Sequence, residues 1–356
     1  VGEKGLQYLV AWSIYRQLVE FTEPYTFIRS GTAGDACYDH VRKVMNLAVI
    51  SPFFQSALPL HMVEDVKNMV SAIRRAFQKV FESSTWIGRN FREAAIRKLQ
   101  NITSYVGSPG KRLDPEYVEE IYKPYPDAPL DLLFPTWINA LSLSSHYIWT
   151  DQTTPLYDEA YRNSYFSYIH NNFEIPTVDL LPPLVYEFAP AALNYGGIGT
   201  VIAHEFMHAF DAQSVQCFKD SLPQGMNAFL KEYTKRALCL RKSHRSVLSL
   251  TGEEEKLNNE LDNENLADLA GTKIAYQAFA SLVSAEKTRS LAGLNMSAEQ
   301  LFFVNHCVKW CAQSSRLAAR YAPFRSRCIV PLMNMPEFSS AFGCAVETPM
   351  NPPKKC

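Results

Sequence analysis

Apolar residues recur at three- and four-residue spacing through Val66, Met69, Val70, Ile73, Phe77, Val80 and Phe81, with charged residues between them. This predicts an amphipathic helix with one buried face, and the surrounding N-terminal stretch reads as further helices. Ser108-Pro109-Gly110 breaks the pattern, and Pro124, Pro126, Pro129 and Pro135 follow closely. An irregular linker and a domain boundary near residue 107 are therefore expected. From Asn172 to Tyr186 the chain changes to short apolar and β-branched runs punctuated by Pro176, Pro182 and Pro183, a pattern of edge strands or extended segments. Leu193-Asn194-Tyr195-Gly196-Gly197-Ile198-Gly199 then leads into an apolar helix; it satisfies neither phosphate-loop pattern, so tight packing at the helix start is the expected use of its glycines. The predicted fold class is mainly α with a small β-sheet (α+β), one large domain with a helical annex. The longest apolar candidate for a membrane span, Leu9 to Val19, is interrupted by Ser13, Arg16 and Gln17.

Composition changes this picture only at its margins. A content of 47% hydrophobic and 20% charged residues describes a packed chain rather than a disordered one. Lys and Arg number 35 against 36 Asp and Glu, with no basic stripe, so a nucleic-acid partner is not expected. None of the eight cysteines forms a C-x-x-C pair. Disulfides in an oxidising, extracellular compartment are the better reading, and the acceptor triplets Asn101-Ile102-Thr103 and Asn295-Met296-Ser297 agree with a secreted glycoprotein. The sequence opens on Val1 inside a helical pattern, without an initiator Met or a signal peptide, so a preceding portion is expected.

The chemistry centres on His204-Glu205-Phe206-Met207-His208, an H-E-x-x-H motif. Residues i and i+4 share a helix face, so both imidazoles can reach one Zn²⁺ at ~2.0–2.1 Å while Glu205 sits beside them as general base. A catalytic zinc needs a third protein ligand. Glu264 and Asp268, again at i and i+4, supply a candidate: Glu264 as ligand, and Asp268 accepting the outer N–H of a ligand histidine. Taken alone, Glu264 reads equally well as part of a solvated acidic patch, since residues 253–264 are rich in acids.

These residues, together with Asn163-Ser164-Tyr165-Phe166, the segment Leu193 to Gly199, the run Glu264 to Gly271 and Pro349-Met350-Asn351-Pro352, resemble the C-terminal half of the neprilysin and endothelin-converting-enzyme family of zinc metalloendopeptidases. The resemblance covers nearly the whole chain. It implies a thermolysin-like zinc peptidase catalytic domain over residues 108–356, part of a helical capping domain over 1–107, and one Zn²⁺ per chain. It also implies that Asn163 and the Ser164 backbone hold the substrate backbone. Arg327 would bind the carbonyl after the cleaved bond, and Val201 and Trp310 would line a hydrophobic pocket on the amine side of that bond; for Val201 ordinary core packing is an equal reading. Where the family carries an oxyanion-stabilising histidine, this sequence has Tyr321 in Tyr321-Ala322-Pro323. A phenol donates a hydrogen bond without a positive charge, and losing one such donor can cost ~10²–10³ in turnover.

The resemblance pairs Cys239 with Cys356 and assigns Cys37, Cys311 and Cys344 partners in an N-terminal portion before Val1. Cys217, Cys307 and Cys328 are additional, with Cys307–Cys328 as a guess. The implied substrates are small peptides, and the implied location is extracellular, secreted or as the ectodomain of a type II membrane protein. The alternative reading is a homologue that keeps zinc and binds peptides without turnover, motivated by Tyr321.

Overall fold

A computed structural model of the chain describes residues 2–22, 33–127, 133–151, 157–217, 226–248, 259–311 and 320–356. The predicted periodic helix is α1, Leu60–Ser83, and its buried face is the expected one: Val66, Met69, Val70, Ile73, Phe77 and Phe81 are all buried. That face packs on the helix carrying the H-E-x-x-H motif, with Phe77 5.6 Å from Phe206 and Phe81 4.8 Å from Phe210 between ring centroids.

This packing changes the domain assignment. The chain divides into one unit of Val1–Ala57 with Ser108–Ala160 and another of Leu58–Gly107 with Tyr161–Cys356. The break expected near residue 107 is one of the crossing points. Residues 58–107, however, belong with the later part of the chain rather than with a capping domain over 1–107, because the aromatic face of α1 and the strand after it complete the core of the second unit. The first unit is helical, with helices Gly2–Thr22, Ala33–Val44, Asn46–Ala57, Pro115–Tyr122 and Leu133–Thr150. Its interior holds an ion pair in which Arg112 Nε donates to Glu159 Oε1 at 2.7 Å, where Ser108 Oγ also donates at 2.7 Å. No described helix is long and apolar enough to cross a membrane.

The second unit is built of helices around a three-stranded mixed sheet. Strands β1 (Thr103–Val106), β2 (Tyr165–Ser167) and β3 (Asn172–Ile175) lie in the order β1-β3-β2. β1 runs parallel to β3 with Thr103 opposite Asn172, and β2 runs antiparallel with Phe166 opposite Phe173. The stretch from Asn172 to Tyr186 was expected to form edge strands or extended segments. Instead β3 is central: Phe173 and Ile175 are fully buried, and Pro176 lies just past the ladder, where its missing N–H interrupts nothing. The two edges are β1 and β2, and β2 is the edge that lines the cleft.

The glycine-rich segment is a π-helical turn, Tyr195–Gly199, entering α2, Thr200–His208. A Cβ on Gly196 would stand 2.2 Å from the carbonyl oxygen of Phe302, and one on Gly197 2.3 Å from that of Leu184. Close backbone approach is what these glycines permit, as expected. The unit also holds helices α3 (Met226–Leu248), α4 (Asn259–Ala280), α5 (Ala298–Val308) and α6 (Phe324–Met333), with shorter helical segments between them. Cys239–Cys356 and Cys307–Cys328 are both bridged. Cys311 and Cys344 are free, while the side chains of Cys37 and Cys217 and the acidic residues 253–258 lie outside the described residues.

Candidate metal centre and cleft

His204 and His208 stand one turn apart on α2, with Nε2 atoms 3.1 Å from each other. Helix α4 crosses α2 and delivers Glu264, whose Oε2 lies 3.1 Å from His204 Nε2 and 3.6 Å from His208 Nε2. Ligands held tetrahedrally at ~2.0–2.1 Å from one metal stand about 3.3 Å apart, which is the size of this triangle. Each outer nitrogen faces a carboxylate: His204 Nδ1 is 2.9 Å from Asp268 Oδ1, and His208 Nδ1 is 2.9 Å from Asp211 Oδ2. Against burial, which lowers them, the facing carboxylates raise both imidazoles above their ordinary value; in the neutral form, with Nδ1–H donating outward, each would turn a lone pair inward, where Glu264 adds a third acceptor. Two imidazoles and one carboxylate converging this way fit zinc.

The supporting groups are fixed in turn. Arg327 donates from Nε and Nη2 to Asp268 at 2.7 and 2.8 Å, so its Nη1 is the group left to face the cleft. Burial would raise the Asp268 carboxyl, but Arg327 and His204 hold it well below the ordinary carboxylate range. Asp211 accepts from Tyr168 Oη at 2.6 Å and from the Ser214 amide at 2.8 Å. Arg320 donates to Glu264 Oε1, leaving Oε2 for the imidazoles. Glu205 is buried without a hydrogen-bond partner among the described residues, and burial pushes its carboxyl up.

All the expected site residues except Glu264, which lies behind the histidines, line one cleft of about 730 Å³: Asn163, Ser164, Val201, His204, Glu205, His208, Asp268, Trp310, Tyr321 and Arg327. Asn163 is exposed just before β2. The Ser164 hydroxyl donates to Asp179 at 2.7 Å, and the Ser164 backbone N–H donates to the same carboxylate. Val201 is half-buried, lining the cleft and also packing against the core. Arg327 stacks over Trp310 and Tyr321, at 4.1 and 4.7 Å from the ring centroids.

Sequence reasoning did not assign Asp211, Tyr168, Arg320, Asp179, Thr200 or Lys309. Asp211 carried a signal, since it stands three residues after His208 on the helical pattern that placed Asp268 one turn after Glu264. The others reach the site from distant segments and carried none.

Asp179 supports a prediction of its own. Burial, reinforced by Glu205 and opposed by the Ser164 hydrogen bond, raises its carboxyl from 3.8 to about 6. The folded state therefore holds this proton more tightly than the unfolded chain does. Its contribution to stability is fully present below about pH 4 and is lost as pH rises through about 6. Asp179→Asn is expected to leave the Tm nearly unchanged near pH 4 and to stabilise the fold at pH 7 by about 3 kcal/mol, measured by calorimetry at both pH values.

Comparison with known proteins adds to this geometry. A family model described as peptidase family M13 matches residues 163–356, and its N-terminal counterpart matches residues 8–109. Endothelin-converting enzyme 1 of Homo sapiens is 31% identical over 328 residues, which cover 86% of this chain and 42% of that protein. Neprilysin-1 of Trittame loki is 29% identical over 350 residues, 90% of this chain and 47% of that protein. The chain thus spans about half the length of the curated relatives it matches. Among solved structures, the Mycobacterium tuberculosis zinc metalloprotease Zmp1 in complex with an inhibitor superimposes with a TM-score of 0.65 at 21% identity, covering 86% of this chain and 48% of that one. PepO from Lactobacillus rhamnosis gives 0.58 at 22% identity, covering 85% and 48%. At these identities the likeness is one of fold.

Proposed function

The chain belongs to peptidase family M13, and on that premise we propose that it is the catalytic part of a zinc-dependent endopeptidase acting on small peptides. The observation that carries the reading is the triangle of His204 Nε2, His208 Nε2 and Glu264 Oε2, closed to metal-ligand size, with both outer nitrogens pinned by carboxylates. Zinc, when bound, supplies a Lewis acid that polarises the scissile carbonyl and acidifies a water molecule.

This chain's own residues do the rest. Glu205 accepts the proton as the water oxygen attacks the carbonyl carbon, then gives it to the leaving amine as the C–N bond breaks. Asn163 and the Ser164 backbone hold the peptide extended along the open edge at β2. Arg327 Nη1 donates to the carbonyl that follows the cleaved bond, and the Tyr321 hydroxyl, free of partners among the described residues, donates to the developing oxyanion. The wall formed by Val201 and Trp310 receives the side chain on the amine side. Two disulfides and exposed acceptor residues Asn101 and Asn295 support an extracellular, glycosylated protein. A portion preceding Val1, bearing partners for Cys37, Cys311 and Cys344, completes the proposal.

Purified full-length protein is expected to carry about one zinc per chain and to cleave quenched fluorescent peptides. Cleavage should disappear on chelation and return with added zinc; cleavage indifferent to the chelator would sink the proposal. Tyr321 favours one second reading, zinc and peptide binding without turnover, which saturable peptide binding with no hydrolysis would support.

A further inference from the structure

The pocket wall expected to be apolar carries a cation. Lys309 is half-buried in the cleft, its Nζ 5.0 Å from the ring centroid of Trp310 and donating to the hydroxyl of Thr200. Thr200 in turn donates to the carbonyls of Gly196 and Gly197, at 3.0 and 2.8 Å, so the Lys309 ammonium meets an oxygen held in place by the π-helical turn. Among the described residues no carboxylate lies within 4.0 Å of Nζ. The acid that acts on Lys309 at longer range, Asp268, is already held by Arg327 and His204. Burial lowers the Lys309 ammonium to about 7, the behaviour of a cation short of a counter-charge.

A lysine in this position is costly for a purely hydrophobic pocket. It brings a strongly hydrated group into a confined space and leaves donors unmet. Arg327 stands over the same indole and adds its positive charge at Lys309, where Asp268 is the acid that opposes it. A carboxylate arriving with the substrate would supply the missing partner for Lys309, and its own desolvation would be offset by a charge-assisted hydrogen bond.

We propose that Lys309, with Thr200 beneath it, is a specificity-determining residue that makes the Val201–Trp310 pocket select a peptide with an acidic side chain directly after the scissile bond. The inference rests on the peptidase reading above. It is separable from it, because it concerns which side chain the pocket holds rather than whether the bond breaks.

The test uses the zinc-loaded full-length protein and C-terminally amidated peptides that differ at one position, Glu, Gln, Leu or Lys, so that no chain-end carboxylate competes. Mass spectrometry locates the cleaved bond, steady-state kinetics gives kcat/KM, and fluorescence anisotropy gives affinity. The bond preceding Glu is expected to be cleaved roughly 10- to 100-fold more efficiently than that preceding Gln, with a parallel difference in binding. Lys309→Met should bring the Glu-to-Gln ratio close to one and favour Leu, while Lys309→Arg should retain a preference for Glu. A wild-type ratio near one, or a ratio unchanged in Lys309→Met, overturns the inference while leaving the peptidase reading intact. Absence of all cleavage defeats the peptidase reading instead, and the Glu-to-Gln ratio in binding then decides the role of Lys309 by the same criterion.

Discussion

Glu205→Gln is expected to lower kcat for peptide hydrolysis by roughly 10²- to 10⁴-fold while zinc content stays near one per chain. Glu205 lies on α2 between the two histidines, buried and facing the cleft, but outside the triangle they form with Glu264. Glutamine matches it in shape and cannot take a proton. The loss should therefore fall on turnover, with peptide affinity near that of the unmodified protein, since neither the sheet edge at β2 nor Arg327 is touched. Kinetics, metal analysis and peptide binding on the same preparation separate these effects. Activity within tenfold of the parent would move the base elsewhere, and Asp179 is the next carboxyl lining the cleft. Its raised titration, to about 6, would then be an asset rather than a cost in stability.

Gly271→Ala is expected to destabilise the fold by about 3 kcal/mol, the upper part of the range for overpacking, and to weaken zinc retention at the same time. A Cβ at position 271 would stand 2.7 Å from the backbone nitrogen of His204 and 3.0 Å from its Cα. Neither is the far end of a side chain that could rotate away. Relief requires α4 to move off α2, and that separation carries Glu264 and Asp268 away from His204. Thermal melts with and without zinc, together with a competition measurement of zinc affinity, would show the coupled loss. An unchanged Tm would mean that the two helices slide past the added methyl without strain.

The candidate metal ligands were legible because a helix repeats: His204 and His208, like Glu264 and Asp268, lie one turn apart, and local geometry turns each sequence spacing into a shared face. The buried face of α1 was legible for the same reason. The placement of α1 was not. Its apolar stripe announced burial without saying against what, and Phe206 and Phe210, far along the chain, proved to be its partners. The central position of β3 was hidden likewise, since Phe173 and Ile175 alternate as an edge strand would, and only pairing with β1 on one side and β2 on the other made it central.

By itself the sequence determined a helical fold with a small sheet, a two-histidine motif with the spacing of zinc ligands, and a matched pair of acids. Tertiary structure decided which groups hold those residues in place: Asp211 and Tyr168 behind His208, Arg320 on Glu264, Arg327 on Asp268, Ser164 on Asp179, and Lys309 in a wall that the family resemblance had implied to be apolar. The division follows from range. Periodicity encodes contacts within one element, where backbone geometry is fixed in advance. Ion pairs and hydrogen bonds between elements depend on where helices cross and strands pair, and close packing at residues such as Gly196, Gly197 and Gly271 sets those crossings.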